Sequence, residues 1–190
     1  EHTHILYDIR TLLGNKKINY YEIGSYIGSS ASLLLRHNFP TNIFCIDPLN
    51  LSKDNYSGQL SQEETLINNL NKNNIYKYKY KIYKNFSNDK NIIEKCNNID
   101  ILFIDGCHEY HCVIEDFNNY KDKVNSNGFI IFDDYLDYEF SPNVKPAVDE
   151  IVKNINLHEY EIIGSIKNYH NALGFPNLKK YNNEFIIYKK

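Results

Sequence analysis

Apolar residues recur at helical spacing in "THILYDIRTLL" (3–13), where Ile5, Leu6, Ile9, Leu12 and Leu13 share a stripe and Gly14 supplies a stop. The pattern then shortens to "INYYEI" (18–23), a β-rich run that ends at glycine. "SSASLLLRH" (29–37) reads as a helix with serines at its start, where the first amides need acceptors. "NIFCID" (42–47) is a second strand, closed by Pro48. A polar loop (49–60) leads into a helix over 61–72, whose Ser61 and Glu64 have capping-box spacing.

The second half repeats the alternation. "YKYKIYK" (78–84) is a strand and "NDKNIIEKC" (88–96) a short helix. "DILFID" (100–105) is apolar almost to its last residue, the pattern of a strand buried on both faces of a parallel sheet. Over 109–124, Val113, Phe117, Tyr120 and Val124 fall on one helical stripe. "GFIIFDD" (128–134) is another buried strand ending in acid, 144–154 is a helix, and 159–166 and 183–189 close the chain as a hairpin around a long loop. Strands alternate with helices without a repeat or a domain-splitting linker. That order predicts one domain over 1–190 built on a Rossmann-like, doubly wound α/β sheet.

Composition narrows the function classes. A chain of 190 residues, 42% hydrophobic and 24% charged, has the make-up of a soluble globular domain with its own core. A net charge of -3 and a pI near 6.2 argue against nucleic acid or a membrane as partner. The lysines and tyrosines of "IYKYKYKIYKN" (75–85) alternate as in a half-exposed strand rather than a nucleic-acid stripe. No apolar run approaches the roughly 18 residues that cross a bilayer. The four cysteines lack disulfide-framework spacing, which points to a reducing, cytoplasmic compartment. A chain that opens on Glu1 and contains no Met reads as a processed product or a domain cut from something longer.

Ligands of doubly wound sheets bind outside the carboxyl ends of the strands, so candidate chemistry is sought there. The first strand runs into "EIGSYIGSS" (22–30), a glycine turn feeding a helix start. Such a turn admits positive φ and close approach of an anionic ligand, or serves as a plain turn. Its spacing is neither that of dinucleotide folds nor that of a P-loop. Asp47, ending the second strand, is placed either to accept ribose hydroxyls or to cap the turn before Pro48. Asn85, Phe86 and Ser87 border a base or lead into an ordinary helix cap. The fourth strand ends in Asp105 and the fifth in Asp133 and Asp134. On neighbouring strands about 4.8 Å apart, three carboxylates repel unless protonated or bridged by a cation, and an all-oxygen set suits Mg²⁺, Mn²⁺ or Ca²⁺. The bland alternative is acids capping the helices that follow. "DGCHEYHC" (105–112) is dense in sulfur and imidazole, but structural zinc wants four ligands and no second pair lies elsewhere. His111 reads as a surface residue, Cys112 as a small core residue and Glu109 as an acid at a helix start.

The run "YEIGSYIGSSASLLL", then "IDP", then "ILFIDGCHEYHCVIEDFNNYKDKVNSNGFIIFDDY", then "VKPAVDEI" resembles the class I S-adenosylmethionine-dependent methyltransferases. Within them it is most similar to the branch of macrocin-type sugar O-methyltransferases and cephalosporin-hydroxylase-like proteins, over roughly 18–154. The resemblance implies a mostly parallel seven-stranded sheet with an antiparallel last strand. It implies a cofactor turn of Glu22, Gly24, Ser25 and Gly28, with Ser30 at the methionine carboxylate, Asp47 at the ribose and Ser87 beside the base. It implies Asp105, Asp133 and Asp134 as ligands of a divalent cation (Mg²⁺ or Mn²⁺), and Asp105 or His108 as the base. The implied reaction is methylation of a sugar or glycan hydroxyl, with a catechol-type acceptor or a non-catalytic nucleotide-binding module as rivals. Two departures stand out: Cys107 occupies a position where the family often shows an acid, and little chain precedes the first strand. The acceptor site is then open, or completed by a second subunit or a fused partner domain.

Overall fold

In the computed structural model, which describes residues 3–50, 59–167 and 183–190, helices and strands alternate as the periodicity predicts. They are α1 (Thr3–Leu12), β1 (Ile18–Ile23), α2 (Ser29–Leu35), β2 (Thr41–Asp47), α3 (Gln62–Asn73), β3 (Tyr80–Lys84) and α4 (Lys90–Lys95). They continue with β4 (Ile99–Ile104), α5 (Tyr110–Tyr120), β5 (Val124–Phe132), α6 (Val144–Asn154), β6 (Tyr160–Lys167) and β7 (Asn183–Lys189). The strands form one seven-stranded sheet in the order β3-β2-β1-β4-β5-β7-β6. β1 to β5 are parallel, and β7 runs antiparallel to both β5 and β6. The expected doubly wound sheet with an antiparallel last strand is therefore what the chain forms. The hairpin loop at 168–182 and most of the polar loop, 51–58, lie outside the described residues.

Each central strand is buried on both faces, and its alternate residues serve different layers. On β4, Ile101 and Phe103 join Tyr20, Ile43 and Ile131 beneath Leu6 and Ile9 of α1, Leu34 of α2 and Leu66 of α3. Leu102 and Ile104 join Ile23, Ile130 and Phe132 beneath Ile92 of α4, Phe117 of α5 and Val148 of α6. Each such side chain contributes about 1.5–3 kcal/mol on burial, which locks the register that a one-residue slip would invert. Arg10 of α1 is wholly buried and donates to Thr41 Oγ1 and to the carbonyls of Gly14, Lys16 and Pro40. It clamps α1 onto the start of β2, and nothing in an amphipathic stripe announces that role.

Two expectations need correction. The helix predicted over 109–124 ends at Tyr120, a 3-10 turn follows over Lys121–Lys123, and Val124 opens β5. Val124 pairs with Ile99 and is buried; an apolar residue at that point satisfies a helical stripe and a strand start equally. The cysteines also depart from expectation. Cys107 and Cys112 are disulfide-paired, their Cα atoms 5.8 Å apart, and Cys112 is half-buried rather than a core residue. The chain folds back between β4 and α5, so the fold rather than a framework motif brings the sulfurs together. The spacing argument for a reducing compartment loses its premise.

Candidate active site

The chain leaves β3 at one edge and re-enters the sheet at β4 beside β1, so the direction of winding reverses between β1 and β4. That reversal opens a crevice at the carboxyl ends of these strands. Glu22, next to last in β1, is 1% exposed, and burial pushes its carboxyl up to about 8 against the opposing pull of the Ser30, Tyr20 and Ser25 hydroxyls. Gly24 has φ 84, and its N–H donates to Ile46 O at 2.9 Å. A Cβ there would lie 2.0 Å from the Asp105 carbonyl oxygen, so the turn packs directly on the end of β4. Gly28 begins α2 at φ 78, again in the left-handed region where glycine alone is at ease.

Asp47 is buried at the end of β2, and its carboxylate accepts from Tyr26 N, Leu49 N and Gln62 Nε2 at 2.8, 2.8 and 3.0 Å. It thereby ties the glycine turn to the start of α3. A carboxylate offers about four lone-pair sites, so these bonds leave capacity for a ribose hydroxyl. Past β3, Asp89 rather than Ser87 caps α4, accepting from Asn91 N and Ile92 N. The Ser87 carbonyl accepts from Tyr120 Oη at 2.7 Å, and its hydroxyl bonds the buried Asp116. Burial pushes the Asp116 carboxyl up to about 6. Phe86 stands 61% exposed beside Ser87. Buried hydroxyls, a glycine turn bent toward the crevice and a strand-end carboxylate are donors and acceptors suited to an amino-acid nucleoside.

The acids beyond β4 and β5 meet a histidine. Ligand atoms of Asp105, His108 and Asp134 all lie within 4.8 Å of one another. His108 Nε2 is 3.3 Å from Asp105 Oδ1, and its Nδ1 is 3.7 Å from Asp134 Oδ2. Asp133 is buried and stands outside this group; Asp134 takes φ 56, which turns the two neighbouring carboxylates apart. The imidazole, rather than a third carboxylate, fills the space between the acids.

Ser141, from the loop after β5, completes the arrangement and was not foreseen. It is buried, its hydroxyl donates to Asp134 Oδ2 at 2.8 Å, and it lies 2.9 Å from His108 Nδ1. A hydroxyl has one proton, and an ionised carboxylate can only accept. Ser141 therefore accepts from Nδ1–H, which leaves Nε2 as the basic atom of the ring whenever the imidazole is neutral. That atom lies 3.3 Å from Asp105 Oδ1, so the ring links the acids that follow β4 and β5.

Residues 21–135 match the family profile described as a methyltransferase domain, a span that holds the site from Glu22 to Asp134. An uncharacterized protein of Acanthamoeba polyphaga mimivirus is 39% identical over 197 residues, covering 98% of this chain and 86% of its own. An O-methyltransferase from Bacillus cereus, solved with S-adenosylhomocysteine, superposes with a TM-score of 0.64 at 13% identity, over 98% of this chain and 79% of that one. An rRNA methylase from Streptococcus thermophilus superposes at 0.65 with 11% identity, over 98% and 95%. At such identities the two structures speak for the fold alone, and the matched profile speaks for the family. The chain belongs to the methyltransferase-domain family.

Proposed function

We propose that this chain is an O-methyltransferase that methylates a hydroxyl of a sugar or glycan with the help of a divalent cation. The observation that carries the reading is the Asp105–His108–Ser141–Asp134 arrangement at the carboxyl ends of β4 and β5. S-adenosylmethionine supplies an electrophilic methyl group on a sulfonium. The glycine turn of Glu22, Gly24, Ser25 and Gly28, with Ser30 and Asp47, binds and orients that cofactor, and Ser87 borders its base. The Asp105 and Asp134 carboxylates would hold the cation, which supplies Lewis-acid polarisation of the acceptor hydroxyl. Oxygen ligands of this kind fit Mg²⁺ or Mn²⁺.

His108 takes the acceptor proton at Nε2, with Ser141 and Asp134 holding the ring in the required tautomer. A base so placed is worth about 10²–10⁴ in rate. The oxygen so deprotonated would be the nucleophile toward the methyl group that the bound cofactor supplies.

Exposure and charge support this acceptor class. The side chains of Asp105, His108 and Asp134 are 25, 35 and 14% exposed, more open than the apolar slot a catechol ring needs. Tyr138 and Phe140, 65 and 60% exposed on the loop that carries Ser141, offer flat faces on which a sugar ring can pack. The same openness suits completion of the site by a second subunit or a fused domain. Net charge -3 speaks against RNA, whose backbone demands a basic groove. Among the described residues no helix is long and apolar enough to cross a membrane.

The test is transfer of labelled methyl from S-adenosylmethionine to nucleotide sugars, oligosaccharides, catechols and an rRNA fragment, each with and without a chelator. Chelator-sensitive labelling of a carbohydrate is expected. Labelling of the RNA alone, or carbohydrate labelling indifferent to chelation, would overturn the acceptor or the cation respectively.

A further inference from the structure

We propose that Cys107 and Cys112 are a reversible dithiol–disulfide pair whose oxidation fixes the position of His108. Cys107 is exposed and Cys112 half-buried, so small thiol reagents can reach the pair. Cys45 and Cys96 are buried with their thiols pushed up by burial, which leaves them inert by comparison. The Cα–Cα separation of 5.8 Å falls within the range a disulfide spans without backbone movement.

The position of the ring is what gives it a consequence. A sequence separation of five closes a very short loop. Stabilisation through the unfolded chain grows with loop length, so a staple this small contributes less to the whole fold than a long-range one. Its effect is local, and the residue it encloses next to Cys107 is His108. The ring also encloses Glu109, whose carboxylate accepts from Asn143 on the same loop as Ser141. Closing it therefore holds the β4–α5 turn against the loop that supplies the other half of the His108 contacts. Opening it frees the backbone that carries the imidazole.

The chemistry balances with a small-molecule disulfide as oxidant. The exposed Cys107 thiolate attacks one sulfur of the oxidant, breaking its S–S bond and releasing one thiolate. The Cys112 thiolate then attacks the Cys107 sulfur of the mixed disulfide, forming the internal bond and expelling the second thiolate. The protein loses two electrons and two protons, and the oxidant becomes two thiols. His111 Nε2, 3.6 Å from Cys112 Sγ, is placed to take the proton of the resolving thiol.

The experiment equilibrates the full chain with reduced and oxidised glutathione, quenches with acid, alkylates and maps peptides by mass. In parallel, nuclear magnetic resonance follows the His108 ring signals. Alkylation of Cys107 and Cys112 is expected to disappear together in the oxidised buffers and return with dithiothreitol, with Cys45 and Cys96 unchanged. His108 signals shift with it, and Cys107→Ser and Cys112→Ala each show the reduced-state signals in every buffer. Turnover in the oxidised state is expected to exceed that in the reduced state by roughly tenfold, less than loss of the base itself. That last effect rests on the methyltransferase reading; pairing and the His108 shift do not. A pair that stays alkylatable throughout, a glutathione adduct that persists on Cys107, or His108 signals alike in both states would overturn the proposal. A coupled His108 shift without methyl transfer in either state supports the pair and counts against the proposed function.

Discussion

The two halves of the crevice are built in opposite ways. On the β1–β2 side, Glu22 and Asp47 are 1 and 7% exposed, and a backbone contact at Gly24 locks the turn to β4. On the β4–β5 side, Asp105, His108 and Asp134 are partly open to solvent and held by side-chain bonds through Ser141. One half is shaped by where the chain must bend, the other by which side chains loops bring together. The first suits a ligand that every turnover shares, and the second suits chemistry on a variable acceptor. Separable construction implies separable failure.

The largest effect is expected from Asp105→Asn, which removes a carboxylate from the acceptor half and leaves the backbone intact. Turnover should fall by about 10²–10⁴, the several kcal/mol that Lewis-acid polarisation supplies, with S-adenosylhomocysteine affinity nearly unchanged. Single-turnover kinetics reads it, and retained turnover would remove Asp105 from the chemistry. Gly24→Ala attacks the other half. A Cβ 2.0 Å from a carbonyl oxygen forces β1 and β4 apart at their ends, at a cost of about 2–4 kcal/mol in a urea melt. An unchanged melt would mean that the turn is looser than its contacts imply.

Ser141→Ala is a finer probe, because Ser141 positions His108 without touching the acceptor. A fall of roughly tenfold in kcat with KM held, recovered by Ser141→Thr, is expected of a lost tautomer lock. If threonine fails to restore kcat while folding normally, the hydroxyl is not what matters.

A last effect is thermodynamic and leaves the chemistry untouched. Burial raises the Glu22 carboxyl from 4.5 to about 8, so the folded chain holds a proton that the unfolded chain has released across that window. Stability therefore falls as pH rises from 4.5 toward 8 and levels off above. Glu22→Gln should flatten the urea midpoint against pH, with a residual slope below about 6 from Asp116, which is raised in the same direction. Parallel profiles for the two proteins would place the proton elsewhere.

The two halves also differed in how far the sequence betrayed them. Strand alternation and the glycine turn are local signals, so the sheet, the crevice and the residues from Glu22 to Asp47 were all legible. Asp105 and Asp134 were legible for the same reason, each following an apolar strand. Ser141 was not, because it lies 33 residues from His108 in a polar loop that resembles any other. Arg10 and the Cys107–Cys112 pair escaped for a related reason. A charge on an amphipathic helix normally faces water, and a sulfur separation of five becomes a bond only once the turn before α5 is folded. What depends on a single element was readable, and what depends on how loops converge was not.

Calorimetric titration of S-adenosylhomocysteine into the wild-type chain, Asp105→Asn and Gly24→Ala tests the division of the crevice most directly. Matching affinities for the first two and loss of binding in the third are predicted. Binding that survives in Gly24→Ala but disappears in Asp105→Asn would contradict the account.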